Sequence, residues 1–178
     1  MSVLGVNELL ELVKEIKLVE NLSERELNNP EGAGFDIRAG EVYKITGKSF
    51  LGTESRFTPT SQLVAKVGQN QQLTINPGDY FLVKTMETFN VPDYLTMHTF
   101  PRSTLHRSGV LLLATQTAPG YKGQLVFGLK NLGDCEITLE LGSRIAHVQF
   151  LTVSGKANPY RGQWAGGRVT NTELEKQV

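Results

Sequence analysis

The segment PRSTLHRSGV, residues 101–110, places two guanidinium groups, Arg102 and Arg107, beside two hydroxyls, Ser103 and Thr104. Guanidinium forks meet phosphate oxygens at two points and hydroxyls add neutral donors, so this cluster offers a grip on a phosphate-bearing anion. His106 lies between the arginines and reads as a packing or surface residue. Groups that would react with such an anion are harder to find. From Val110 to Asn131, VLLLATQTAPGYKGQLVFGLKN contains no Asp or Glu, although hydrolysis of a phosphate ester or an amine ordinarily calls for a carboxylate base. One cysteine, Cys135, and no H-x-E with P-C-x-x-C pattern leave no His/Cys/Cys set for a catalytic zinc.

The elements that position these groups belong to a chain of 178 residues, a length suited to one domain with one core. Lys plus Arg and Asp plus Glu are both 18, so no global field recruits nucleic acid or an anionic membrane and phosphate binding has to be local. The lone Cys135 cannot close an internal disulfide and reads as structural, in keeping with a reducing compartment. No leader pattern or bilayer-length apolar run is evident, so the expected location is cytoplasmic, with no membrane partner.

Residues 1–30 read as helical. In VNELLELVKEIKL, residues 6–18, apolar side chains recur at helical spacing with Asn7 as N-cap, and Ser23 with Glu26 fits a capping box before Asn29-Pro30. Residues 31–155 read as β. Gly32 and Gly34 lead into a segment of mixed strand character carrying Asp36 between Phe35 and Ile37, either turned to solvent or with a structural or site role. Residues 47–70 read as a hairpin or a long surface excursion. Strands are expected near 80–85, 95–100, 110–114, 124–129, 136–139 and 145–152, separated by Asn-Pro-Gly-Asp, Pro-Asp, Pro-Gly and Gly-Asp turns. Short strands at this spacing imply an all-β barrel or jelly roll rather than βαβ units. Residues 156–178 are polar and glycine-rich and read as a mobile C-terminal arm.

Taken in order, GAGFDIRAG, NPGDYFLVKTMETFNVPDYL, PRSTLHRSGV, APGYKGQLVFGLKN, LELGSRIAHVQF and NPYRGQWAGG resemble the dUTPase and dCTP deaminase superfamily across most of the chain. The N-terminal helix and the NPYRG ending look more like its deaminase branch and archaeal dUTPase-like members. The resemblance implies a single dUTPase-like domain, a mainly β distorted barrel assembled as a homotrimer with sites between subunits. It also implies a dUTP- or dCTP-type nucleotide as partner. It places Arg102, Ser103, Thr104, Arg107 and Gln149 at the triphosphate, with Mg²⁺ carried by the phosphates rather than by protein ligands and no zinc. Ala118, Tyr121, Gly123 and Trp164 fall at the base and sugar, Arg161, Gly162 and Gln163 in the closing arm, and Asp36 in a structural role.

Two positions depart from the family pattern. The resemblance puts the dUTPase aspartate that holds the attacking water at Ala118, and the deaminase glutamate at Gly128. A methyl group and a hydrogen accept no proton. With these departures, the resemblance implies a pyrimidine deoxynucleoside triphosphate-binding protein whose reaction, if it has one, is hydrolysis of dUTP to dUMP and pyrophosphate. A catalytically silent binding or regulatory homologue and a dCTP deaminase are the alternatives.

Overall fold

Apolar and polar residues alternate through most of the chain after Phe35, and the protein builds strands from that alternation. The structure, a computed structural model, describes residues 2–177. Helix α1 spans Val6–Ile16, α2 Glu24–Asn28 and α3 Ser103–Arg107. The strands in chain order are β1 Val19–Glu20, β2 Phe35–Thr46, β3 Phe50–Leu51, β4 Ser55–Phe57, β5 Thr60–Lys66, β6 Gln72–Ile75 and β7 Tyr80–Asn90. They continue with β8 Leu95–Pro101, β9 Val110–Leu113, β10 Lys122–Asn131, β11 Ile137–Glu140, β12 Arg144–Thr152 and β13 Glu175–Lys176.

The main sheet runs β8-β12-β2-β7-β10-β9, with β5 added to β2 and β1 to β7. Its two edges, β8 and β9, face one another across a small cleft lined by His98, Phe100, Ala114 and Gln116, so the sheet is a nearly closed barrel. The mainly β barrel expected from the turn spacing is thus the architecture found. Inside it, Phe35, Ile37, Val83, Phe89, Met97, Leu129 and Phe150 are buried, and Phe35 meets Phe150 edge to face at 6.4 Å. Each such side chain contributes about 1.5–3 kcal/mol by leaving water.

Element boundaries moved for identifiable reasons. The N-cap of α1 is Gly5, not Asn7: the Gly5 carbonyl already accepts from Leu9 N at 3.0 Å, while Val3 and Leu4 just before it are extended against Leu151 and Phe150. The apolar face of α1 packs on the barrel through Leu9, fully buried, and Leu10, Leu12 and Val13. Ser23 does cap α2 by accepting from Glu26 N, but the Glu26 carboxylate does not return to residue 23. It is buried and accepts from Asp36 N at 2.9 Å.

Residues 47–70 form the β3-β4 hairpin followed by β5, which pairs with β2. Cys135 is exposed, in the turn between β10 and β11, and has no core role. The C-terminal segment is laid against the barrel: Ala165–Gly167 makes a 3₁₀ turn, and β13 pairs with β4. The expected mobile arm is held because backbone pairing and glycine contacts fasten it, neither of which leaves a periodic apolar signal.

Candidate functional site

Residues 118–121, Ala-Pro-Gly-Tyr, close a turn in which Tyr121 N donates to Ala118 O at 3.3 Å. Pro119 fixes the first central position and Gly120, at φ +77°, takes the left-handed second one, which is the chemistry of a type II turn. The chain then enters β10, whose pairing with β7 is broken by a bulge between Gln124 and Val126. Thr85, fully buried, fills it: its hydroxyl accepts from Leu125 N at 3.0 Å and donates to Glu87 O at 2.8 Å. Leu125 and Val126 line a cavity of about 450 Å³ together with Ala118 and Tyr121 of the turn.

The C-terminal segment supplies the opposite wall. Tyr160 N donates to Pro119 O at 2.7 Å, and the rings of Tyr121 and Tyr160 meet edge to face at 5.2 Å. Tyr160 Oη accepts from Trp164 N at 3.1 Å, Tyr121 Oη donates to Gln124 O at 2.5 Å, and Trp164, with the Arg56 guanidinium 5.7 Å from its ring centre, also lines the cavity. A Cβ on Gly123 would come within 2.6 Å of Gly166 backbone atoms, so strand and arm touch here only because Gly123 lacks a side chain. Burial pushes the Tyr121 phenol up to about 12. It also raises Tyr80, another lining residue, so both phenols are neutral near pH 7. Among the described residues the one charged side chain in the lining is Arg168, which is paired with Glu175 at 2.7 Å.

Of the residues placed at a base and sugar, Ala118, Tyr121 and Trp164 line this one cavity; Gly123 lies beside it against the arm. Arg161 is exposed, Gly162 abuts the Tyr160 phenol, and Gln163 bonds to Glu175 and to Lys176 O; none of the three is in the lining. Arg102, Ser103, Thr104, Arg107 and Gln149 are absent from the lining as well. Ser103, Thr104 and Arg107 are exposed on α3. Gln149 is half-buried on β12, where it pairs with His98.

Arg102 has a partner that the sequence did not disclose. Asp36 is 1 % exposed, and Arg102 Nη1 lies 2.8 Å from its Oδ2. The same carboxylate takes Arg144 at 2.7 Å, His147 Nδ1 at 3.0 Å and Arg25 at 3.6 Å. Asp36 is therefore not turned to solvent. The β2-β12 register places His147 opposite Asp36, and Gly34 permits the approach, since a Cβ there would lie 2.0 Å from Val148 O. Arg25, Arg144, His147, Tyr80, Tyr160, Arg56 and Arg168 were all missed as site residues. Arg144 and His147 stand in the quoted LELGSRIAHVQF stretch, Tyr80 in NPGDYFLVKTMETFNVPDYL and Tyr160 in NPYRGQWAGG; Arg25, Arg56 and Arg168 are revealed only by their pairing in three dimensions.

Among the described residues no carboxylate lines the cavity. Asp79 accepts from Asn76 N, which holds it below the ordinary carboxylate range. Glu87 is buried on Arg38, with Arg38 Nε at 2.7 Å, and desolvation outweighs that partner to raise it. Neither lines the cavity. Among the described residues no group of three or more His, Cys, Asp or Glu is placed to hold a metal ion, and no helix is long and apolar enough to cross a membrane.

A family model described as dCTP deaminase-like matches residues 3–153. A dCTP deaminase of Pyrococcus abyssi is 33% identical over 156 residues, 87% of this chain and 89% of its own length. A probable deoxyuridine 5'-triphosphate nucleotidohydrolase of Methanothermobacter thermautotrophicus is 32% identical over 133 residues, 74% of this chain and 85% of its own. The solved 2'-deoxycytidine 5'-triphosphate deaminase of Agrobacterium tumefaciens superposes with a TM-score of 0.64 at 17% identity, covering 83% of this chain. This chain spans about half of that one, 47%. The dUTPase of Staphylococcus bacteriophage 80alpha gives 0.50 at 15% identity, over 80% of this chain and 94% of its own. The two superpositions show the shared fold, and the match along residues 3–153 shows the lineage: the chain belongs to the dCTP deaminase-like family of nucleotide metabolism.

Proposed function

We propose that the chain binds pyrimidine deoxynucleoside triphosphates at the Ala118 turn and holds them without turning them over. The observation that carries this reading is the cavity lining, in which Tyr80, Tyr121, Tyr160 and Trp164 suit a base and a sugar while no carboxylate is present among the described residues. A volume of about 450 Å³ lies within the usual range for small-molecule sites. Relatives named as dCTP deaminases and as a dUTP nucleotidohydrolase supply the ligand class.

The triphosphate falls to Ser103, Thr104, Arg107, Gln149 and the donors of Arg102 that Asp36 leaves free. These lie outside the lining of their own chain's cavity, and a homotrimer with sites between subunits would let one ligand meet both sets. Exposed apolar residues at the two sheet edges support it: Leu111 and Leu113 on β9 are 44% and 47% exposed and Phe100 on β8 46%. Leu113→Glu is expected to convert a trimer to monomers in sedimentation analysis and to abolish nucleotide binding; a variant that stays trimeric removes β9 from the interface. Mg²⁺ suits this donor set only as an ion carried on the phosphates, where it neutralises the charge of the pyrophosphate portion.

A second reading, hydrolysis of dUTP to dUMP and pyrophosphate, is favoured by the exposed Arg107 and Ser103 and by the arm packed over the turn. Deamination of dCTP ranks below it, for want of an acid at Gly128. Incubation with dUTP and dCTP, with and without Mg²⁺, separates these readings when pyrophosphate and ammonia are measured. Neither is expected above the level of an Arg102→Ala control; sustained release of either returns the chain to the enzymes.

A further inference from the structure

The space belonging to a side chain at position 128 is already taken. Gly128 is buried on β10, and a Cβ built on it would lie 2.5 Å from Tyr80 Oη and 3.1 Å from the ring carbons Cε2 and Cζ. Tyr80 comes from the start of β7, where it pairs with Lys130 and so stands diagonally across from Gly128. Its ring covers the glycine and becomes the lining in its place: Tyr80 borders the cavity and Gly128 does not. No side-chain or backbone hydrogen bond engages Tyr80 Oη among the described residues, and burial alone perturbs it. A half-buried phenol with no protein partner, bordering an apolar aromatic cavity, is a hydrogen-bonding group without its complement.

We propose that Tyr80 Oη is the group that reads the polar edge of the bound pyrimidine, in the place where residue 128 would otherwise project. This rests on the reading of the cavity as a nucleoside pocket. The chemistry that follows differs in kind from that of a carboxylate. A neutral hydroxyl both donates and accepts by rotating, so it pairs with the carbonyl of uracil or the amino group of cytosine and discriminates weakly between them. Because burial keeps it protonated, it orients the ring without removing a proton. Gly128 is then required for the phenol to lie flat, and the two positions act as a pair.

Calorimetric titration of the full-length chain with dUTP and with dCTP tests this. Tyr80→Phe keeps the ring and deletes the hydroxyl, and is expected to weaken both nucleotides about tenfold with an unchanged thermal midpoint. Gly128→Ala forces the hydroxyl aside and is expected to give a similar loss, the two losses being non-additive in the double variant. Wild-type binding with Tyr80→Phe within twofold of it overturns the assignment of Tyr80 and leaves the pocket standing, as does full affinity in Gly128→Ala. A wild-type chain that binds neither nucleotide overturns the pocket and this assignment together.

Discussion

Asp36→Ala is expected to cost about 3 kcal/mol of folding free energy, the lower end of the range for stripping one partner from a buried ion pair. The carboxylate is almost wholly buried and is the common partner of Arg102, Arg144, His147 and, at longer range, Arg25. Removing it leaves several cationic groups facing one another without a counter-charge. The loss stays at the low end because the guanidiniums keep 31% to 37% of their exposure and water screens them. In urea the unfolding midpoint should fall with no change in slope. A shift no larger than that of an ordinary surface substitution, about 0.5 kcal/mol, would show that the cluster does not hold the barrel together. The same network bears on the ligand, because an Arg102 released from Asp36 no longer has a fixed direction.

Ala118→Asp is expected to raise pyrophosphate release from dUTP by about 10²–10⁴-fold, the usual contribution of a positioned general base. The turn tolerates the change: residue 118 is half-buried at its first position, outside the left-handed region, and its carbonyl already accepts from Tyr121 N. The new carboxylate would enter a cavity that has none of its own. Gly128→Glu should yield no comparable gain of ammonia from dCTP, since Tyr80 occupies the space its side chain needs. If Ala118→Asp leaves release within tenfold of wild type, more than one carboxylate separates this cavity from a hydrolytic site.

The fold was largely legible because its signals are local. Strands after Leu73 follow from alternation and from turns such as Asn76-Pro77-Gly78-Asp79, and β7 extended beyond the expected 80–85 because its alternation continues to Asn90. The Ala118 turn was equally plain in Pro119-Gly120-Tyr121. What remained hidden depends on register. Asp36, Arg102 and Arg144 are joined by the pairing of β2 with β12 and of β12 with β8, and nothing in residues 34–38 names those partners. In sequence Arg102 reads as a phosphate ligand because its neighbours are hydroxyls, whereas its neighbour in space is a carboxylate. Tyr80 is one more aromatic on a strand until Gly128 is seen beneath it. The arm has no apolar period, and its attachment rests on Gly123 against Gly166 and on backbone pairing at Glu175.

The most direct test of the account is a calorimetric titration of the wild-type chain with dUTP and Mg²⁺, run beside Arg107→Ala. Arg107 is exposed on α3 and has no ion-pair partner among the described residues, so its loss should leave the barrel intact. The account predicts saturable binding to the wild type and at least tenfold weaker binding to the variant, as expected when a charge-assisted contact to phosphate is removed. No binding to the wild type, or equal binding to both, would contradict it.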